Sequence, residues 1–128
     1  MEKKFEIFSN SPTCPIRNVF DRFGDKWSVL VLMVLGTHGG MMRFGELKEV
    51  IDDITQKMLT VTLRTLEADG LVVRKYYQEI PPRVEYQLTD LGKSLVPHIE
   101  SLAHWASKHV DQILKSRKRF EKKTTDKD

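Results

Sequence analysis

The sequence has 128 residues, one cysteine and a formal net charge of +3. This length suits one domain with a single core, and one cysteine excludes an internal disulfide framework and favours a reducing compartment. The charge is uneven: residues 115–128 carry seven Lys or Arg against three Asp or Glu, which is +4, so residues 1–114 sum to −1. The folded part is therefore not a strongly basic body, which counts mildly against nucleic-acid binding.

The hydrophobic runs exclude a membrane protein. The longest, Val29 to Leu35, is seven residues and too short to span a bilayer, and residues 1–12 lack the apolar core of a signal peptide. We therefore expect a cytoplasmic protein with no membrane partner. We expect an N-terminal arm over residues 1–13, one domain over 14–114, and a basic, disordered tail over 115–128.

Two helices are predicted at the start of the domain. Cys14 followed by Pro15 indicates an N-cap and the favoured N1 residue of a first helix. Gly24 is expected to end this helix, and Asp25 to cap a second helix from Lys26 to Leu35. That second helix is apolar nearly all round and belongs in the centre of the core. The apolar face of the first helix consists of Ile16, Val19, Phe20 and Phe23.

The next segment predicts a helix-turn-helix. A short strand over Met41 to Arg43 and a short helix over Phe44 to Ile51 precede a longer helix, for which Thr55 is a good N-cap and Gly70 the stop. Two short helices joined by a tight turn form such a unit, in which the second helix reads DNA. A purely structural helical hairpin is the alternative. The buried stripe of the second helix is Leu59, Leu63 and Leu66, flanked by Met58 and Thr62.

The opposite face of the longer helix carries long hydrogen-bond donors beside short side chains. Such residues reach base edges and phosphates when a helix enters the major groove of DNA. The alternative is the solvated face of an ordinary core helix, because polar outer faces are normal for surface helices. The residues predicted to contact DNA from this helix are Thr55, Gln56, Lys57, Thr60, Val61 and Arg64.

A β-hairpin is predicted next, in the position of a wing. Leu71 to Tyr77 is rich in β-branched and aromatic residues, and Val84 to Leu88 alternates. Pro81 and Pro82 belong in the loop, since they cannot donate to a sheet. The alternation predicts Val84, Tyr86 and Leu88 inward with Glu85 and Gln87 outward. The further predicted DNA contacts are Arg43, Arg74 and Lys75, together with Arg83 at the tip of the wing.

A long last helix follows, capped by Thr89. Pro97 lies inside it and is expected to bend it or to split its first two turns from the rest. Its apolar stripe is longer than one small domain can cover, so a second copy of the chain is expected to cover it. The predicted fold is α+β, mostly α, a winged helix-turn-helix with a C-terminal dimerisation helix. The predicted dimer interface is Ile16, Phe20, Leu95, Ile99, Leu102, Trp105, Ala106, Val110 and Ile113.

The sequence contains no motif that is typical of catalysis or metal binding. His98, His104 and His109 are spaced at i, i+5 or i, i+6, which does not place two ligands on one helix face, and the sequence has no HExxH or CxxC. The sequence therefore predicts no enzyme, no catalytic residue, no metal and no cofactor.

The ordered set of motifs resembles the HxlR-type winged helix-turn-helix transcriptional regulators, relatives of the MarR type. The resemblance covers about 92 residues, Cys14 to Trp105. It is carried by Cys14-Pro15, Gly24-Asp25-Lys26-Trp27, Arg43-Phe44-Gly45-Glu46-Leu47, Ile54 to Val72, Pro81 to Tyr86, Leu88-Thr89-Asp90-Leu91-Gly92 and Trp105.

This resemblance implies a homodimeric bacterial regulator that binds double-stranded DNA at an inverted-repeat operator; it names no small-molecule effector. Family members often sense oxidants or electrophiles through a cysteine placed like Cys14, although redox members that use a second cysteine differ from this chain. At a helix N-terminus a thiolate is favoured, whereas a buried cysteine is an inert packing residue, and both interpretations stay open. The alternative function is a winged-helix module that binds protein, which would show an apolar, uncharged outer face on the reading helix.

Overall fold

The structure, a computed structural model, describes residues 14–22 and 26–127. Its helices and strands confirm the predicted mostly helical α+β class. Two compact units divide between Val96 and Pro97. Within the described ranges no helix combines the length and the apolarity needed to cross a membrane. The elements in chain order are α1 (Pro15–Arg22), α2 (Trp27–Thr37), β1 (Met41–Arg43), α3 (Phe44–Val50), α4 (Gln56–Ala68), β2 (Val72–Tyr77), β3 (Arg83–Leu88) and α5 (Asp90–Lys127).

The core of the first unit lies where α2 packs against α3 and α4. The predicted stripe of α4 is fully buried at Leu59, Leu63 and Leu66. Leu32 and Leu35 of α2 are equally buried, as expected for a helix that is apolar on most sides. Of the two residues predicted to flank the stripe, Thr62 is buried, but the prediction is wrong for Met58, which lies in the first turn and is exposed.

Both ends of α4 are fixed as the sequence predicts. The hydroxyl oxygen of Thr55 accepts a hydrogen bond from the Met58 N–H at 3.0 Å. Gly70 follows the helix with a φ of +76°, a left-handed conformation that side chains disfavour. The Leu71 N–H closes the C-terminal turn by donating to the Leu66 carbonyl at 3.0 Å.

The start of α2 differs from the prediction. The expected stop at Gly24 and cap at Asp25 lie outside the described residues, as does Phe23. The N-cap position is Lys26, with no side-chain capping bond, and the helix continues to Thr37, two residues past Leu35. The extension is possible because the His38 N–H still finds helical carbonyl partners at Val34 and Leu35.

The three strands form an antiparallel sheet in the order β1-β3-β2, so β3 is the central strand. The predicted inward residues Tyr86 and Leu88 are buried, and Val84 is half-buried. The outward prediction is wrong for Glu85, which is only 8% exposed, and Gln87 is half-buried. Because β3 is central, Glu85 is flanked on its own face by a long side chain from each neighbouring strand, Arg43 of β1 and Lys75 of β2.

The first turn of α5 is held against the beginning of β2. The Thr89 hydroxyl accepts from the Gly92 N–H at 3.1 Å, which confirms the predicted cap, and donates to the Gly70 carbonyl at 2.6 Å. Gly92 is required here, because a β-carbon at this position would overlap the Leu71 carbonyl oxygen.

Helix α5 is longer and less interrupted than predicted. It runs through Pro97 without a break in secondary structure, although the two compact units divide at this residue. It also continues to Lys127, whereas the sequence predicted a disordered tail from Lys115. The prediction relied on charge alone; residues 115–127 contain no Gly or Pro and are rich in Lys and Arg, which form helices well.

Candidate nucleic-acid interface

The helix-turn-helix is built from α3, a five-residue turn and α4. The Arg43 N–H donates to the Glu46 carboxylate at 2.9 Å, which caps the start of α3. Ile51 and Ile54 in the turn are buried. The capping bond and the two buried isoleucines fix the turn, so the outer face of α4 has a fixed orientation relative to α3.

The predicted DNA contacts on α4 lie together on its exposed side. Lys57, Val61 and Arg64 are exposed, as is Gln56 in the first turn, and Thr60 is half-buried. The Thr60 hydroxyl donates to the Gln56 carbonyl at 2.9 Å. What Thr60 offers a ligand is therefore its methyl group and its oxygen as an acceptor.

Thr55 has a second role besides its predicted DNA contact. Its hydroxyl oxygen is the acceptor that caps α4, while the residue itself is exposed. It therefore has its hydroxyl proton to donate outward, and losing the side chain also removes the cap.

A groove of about 400 Å³ separates α4 from the sheet. Arg64 and two further predicted contact residues of α4 line it, as does Arg74 of β2. The lining residues are Phe44, Gln56, Thr60, Arg64, Glu67, Arg74, Val84 and Tyr86. The groove therefore brings the outer face of α4 together with one cation of the wing.

Glu67 is a groove residue that the sequence analysis missed. The signal was present, because Glu67 follows Arg64 by three residues and Thr60 by seven, which places all three on one helix face. Its carboxylate accepts hydrogen bonds only, so in a DNA groove it would suit an amino group such as cytosine N4 and repel phosphate.

The remaining cations of the sheet lie on its other face. Arg43 of β1 and Lys75 of β2 are both directly opposite Glu85 of β3. Opposed residues of antiparallel strands share a face, and the next residue along a strand points to the other face. Arg43 and Lys75 therefore flank Glu85, while Arg74 points into the groove.

Arg83 differs from the prediction of a guanidinium reaching out from the wing tip. It begins β3, and its side chain is 27% exposed. Its Nη2 lies 3.3 Å from the Glu79 carboxylate, its Nε lies 3.3 Å from that of Glu85, and its guanidinium carbon lies 4.0 Å from the Tyr77 ring centre. The Nε contact is an ion pair without hydrogen-bond geometry. The guanidinium is therefore held within the wing.

The predicted dimer residues differ in how much of their surface is exposed and so available to a partner chain. Leu102 and Trp105 are 63% and 52% exposed, and Phe20, Ala106 and Val110 are also exposed. Ile16, Leu95 and Ile113 are half-buried, and Ile99 is buried within the chain. The Trp105 ring stacks on His109 with 4.6 Å between centres. The apolar surface available on α5 therefore lies mainly beyond Ile99.

Cys14 is 1% exposed, at the position directly before α1. Its carbonyl accepts from the Asn18 N–H at 3.0 Å and from the Asn18 side-chain amide at 2.9 Å. The N-cap position is as predicted, but burial fits the packing interpretation of the thiol. Among the residues described, no group of three His, Cys, Asp or Glu is placed to hold a metal ion.

Two helices joined by a tight turn, followed by a β-hairpin, define a winged helix-turn-helix protein. A family model described as HxlR-like helix-turn-helix matches residues 22–114. The chain belongs to this HxlR-like family of helix-turn-helix transcriptional regulators.

Individual relatives and solved structures agree with this family assignment. The chain is 38% identical over 113 residues to the HTH-type transcriptional regulator YybR of Bacillus subtilis, covering 88% of this chain and 89% of YybR. A MarR-family transcriptional regulator from Porphyromonas gingivalis matches with a TM-score of 0.70 and 37% identity over 77% of this chain and 95% of that one. The redox regulator HypR in its reduced form matches with a TM-score of 0.69 and 38% identity over 80% and 98%.

Proposed function

We propose that the protein is a sequence-specific DNA-binding transcriptional regulator that acts as a homodimer and reads DNA with α4. The observation that carries the proposal is the groove that is lined by both Arg64 of α4 and Arg74 of the wing. Two arginines on one concave surface suit the edge of a duplex, where guanine and phosphate both accept from guanidinium. Membership of a transcriptional-regulator family supports the same function.

Four exposed side chains of α4 have a matching acceptor or apolar group in a major groove. Arg64 can donate two hydrogen bonds to guanine, and Gln56 can bind adenine at N6 and N7. Val61 suits a thymine methyl, and Lys57 suits a phosphate or a guanine. The charged outer face argues against the protein-binding alternative, which requires an apolar one.

The wing has two separate roles in this proposal. Arg74 acts with the reading helix, because it lines the same groove. Arg43 and Lys75 contribute on the opposite face, where an exposed cation meets phosphate. Arg83 keeps the wing in shape by bridging Glu79 and Glu85.

The homodimer is proposed from the exposed apolar residues of α5. Leu102, Ala106 and Val110 follow one another at four-residue intervals, and Trp105 borders them. Such a stripe is a typical packing surface for another helix. A two-fold dimer presents two copies of α4, which implies an inverted-repeat operator with half-sites about one helical turn apart.

A redox response is proposed to act through Cys14. Its support is the similarity to the redox regulator HypR at 38% identity. Because Cys14 is buried, oxidation requires the structure around the thiol to open first.

Selection of bound fragments from the organism's own DNA tests the DNA-binding function. Fragments retained by the protein should share an inverted repeat, and Arg64→Ala should lose the preference for that repeat while keeping its fold by circular dichroism. Loss of a bidentate contact to guanine should cost about 1–3 kcal/mol. If no fragment is enriched over random duplex of the same length, the proposed function is wrong.

A further inference from the structure

The last turns of α5 carry a row of cations on one side. Helical residues spaced at i, i+3, i+4, i+7 and i+8 share one face. Five cations follow this spacing, and all five are exposed. We call this row the basic stripe; it consists of Lys115, Lys118, Arg119, Lys122 and Lys123.

The basic stripe lies in a different part of the sequence from α4 and the wing. The family match ends at residue 114, directly before it. It also lies in the segment that gives the chain its positive charge, since residues 1–114 sum to −1 and residues 115–128 to +4. A polyanion is therefore attracted to the chain mainly by this segment.

The stripe fits phosphates better than it fits a bilayer. Membrane-surface helices bury a row of large apolar residues, but the sequence from Lys115 to Asp128 has one large apolar residue, Phe120. The stripe spans nine residues, about 13 Å of helix. Duplex DNA carries one charge per about 1.7 Å of its axis, so several phosphates lie within reach of a stripe of this length.

We propose that the basic stripe binds the phosphate backbone of duplex DNA without reading its sequence. The choice of DNA as the polyanion rests on the proposed function. The stripe acts as a second DNA contact that adds the same free energy to every sequence, while α4 supplies the difference between sequences. Cations that bind phosphates release counterions, so this contribution decreases as salt increases.

The test replaces all five cations by Gln in the full chain. Affinity is measured by fluorescence anisotropy for a selected fragment and for random duplex, at several salt concentrations. The slope of log affinity against log salt should become shallower by up to about 4.5 units per chain, since each of the five phosphate contacts contributes about 0.9. At 100 mM salt both affinities should fall by the same factor, at least about tenfold. Circular dichroism checks that the helix is retained.

Matched controls separate position from charge. Lys118→Gln with Lys122→Gln removes two cations from the stripe, whereas Lys26→Gln with Lys93→Gln removes two exposed lysines elsewhere. The stripe pair should flatten the salt dependence more. Equal slopes for the two pairs, or a changed ratio between selected and random duplex, would overturn the proposal. Loss of binding to phosphatidylserine vesicles with an unchanged DNA slope would also overturn it, in favour of a membrane contact.

The outcome for the basic stripe is independent of the outcome for the reading surface. If the protein binds a selected fragment but its salt slope is unchanged when the stripe is replaced, the proposed function stands and the proposal for the stripe is refuted. Stripe-dependent binding of random duplex with no selective fragment would refute the proposed function and support the stripe.

Discussion

Arg74 and Lys75 are neighbours in β2, yet they lie on opposite faces of the sheet. Arg74 is paired with Tyr86 and lines the groove beside α4, while Lys75 is paired with Glu85 on the other face. The two residues have the same charge and nearly the same place in the chain. Their different surroundings give them different parts in the proposed DNA binding.

This relationship predicts different effects for two adjacent substitutions. Arg74→Ala should weaken binding to the selected operator more than binding to random duplex, because its guanidinium shares a groove with Arg64. Lys75→Ala should weaken both about equally and reduce the salt slope by about one unit. Fluorescence anisotropy with both duplexes measures the two quantities. Identical profiles for the two variants would contradict the assignment of the two faces.

Arg83 is predicted to stabilise the wing. In Arg83→Ala the buried carboxylate of Glu85 loses its ion-pair partner, which should lower the free energy of unfolding by about 1–3 kcal/mol. Urea unfolding followed by circular dichroism measures this. Arg83→Lys keeps the charge without the planar group over Tyr77, and should lose less. A salt slope for DNA binding that is shallower by about one unit, with unchanged stability, would instead favour the phosphate contact that the sequence predicted.

Gly92 and Gly45 form a matched pair of substitutions in two helices. At Gly92 a β-carbon would overlap the Leu71 carbonyl, a backbone atom that cannot move aside cheaply, whereas at Gly45 nothing lies within 4 Å. Gly92→Ala should therefore destabilise the fold by more than about 2 kcal/mol. Gly45→Ala should change stability by less than about 1 kcal/mol, in the stabilising direction. Thermal unfolding of both variants measures the two effects. Equal stability of the two variants would refute the close approach of Gly92 to the Leu71 carbonyl.

How far the sequence alone predicts the site depends on whether a feature is local. Helix α4 was predictable because its cap at Thr55, its stop at Gly70 and its apolar period all lie within its own segment. The burial of Glu85 was not predictable from its own segment, because it depends on β3 being the central strand. The strand order is set by segments that lie far apart in the chain. The ion pairs of Arg83 were nearly local, since Glu79 precedes it by four residues and Glu85 follows it by two.

The end of α5 shows a different limit. A high density of Lys and Arg is common to disordered tails and to solvated helices, so composition did not distinguish them. The spacing of Lys115, Lys118 and Lys122 did carry the helical period. Periodicity in charge was therefore the informative signal, as periodicity in apolar residues was for α4.

The proposed dimer predicts a contrast between two adjacent residues of α5. Leu102 is on the apolar stripe, and Ser101 is exposed one position before it, on another side of the helix. Leu102→Asp should reduce the mass seen by light scattering from twice to once the 14.9 kDa of one chain at micromolar concentration. Ser101→Asp adds the same charge and should leave the dimer intact. A wild-type mass near that of one chain would exclude the dimer altogether.

Cys14 allows the redox proposal to be tested through its burial. A thiol that is 1% exposed reacts only when the surrounding structure opens, so oxidation by peroxide should reach a limiting rate as peroxide is increased. The product, a sulfenic acid, would then condense with an added small thiol, because the chain has no second cysteine. We expect wild-type protein to lose operator affinity after peroxide and thiol treatment, and Cys14→Ser to keep it. Mass spectrometry confirms the mixed disulfide. Equal responses of the two proteins, or no response in either, would make Cys14 a packing residue of the first unit.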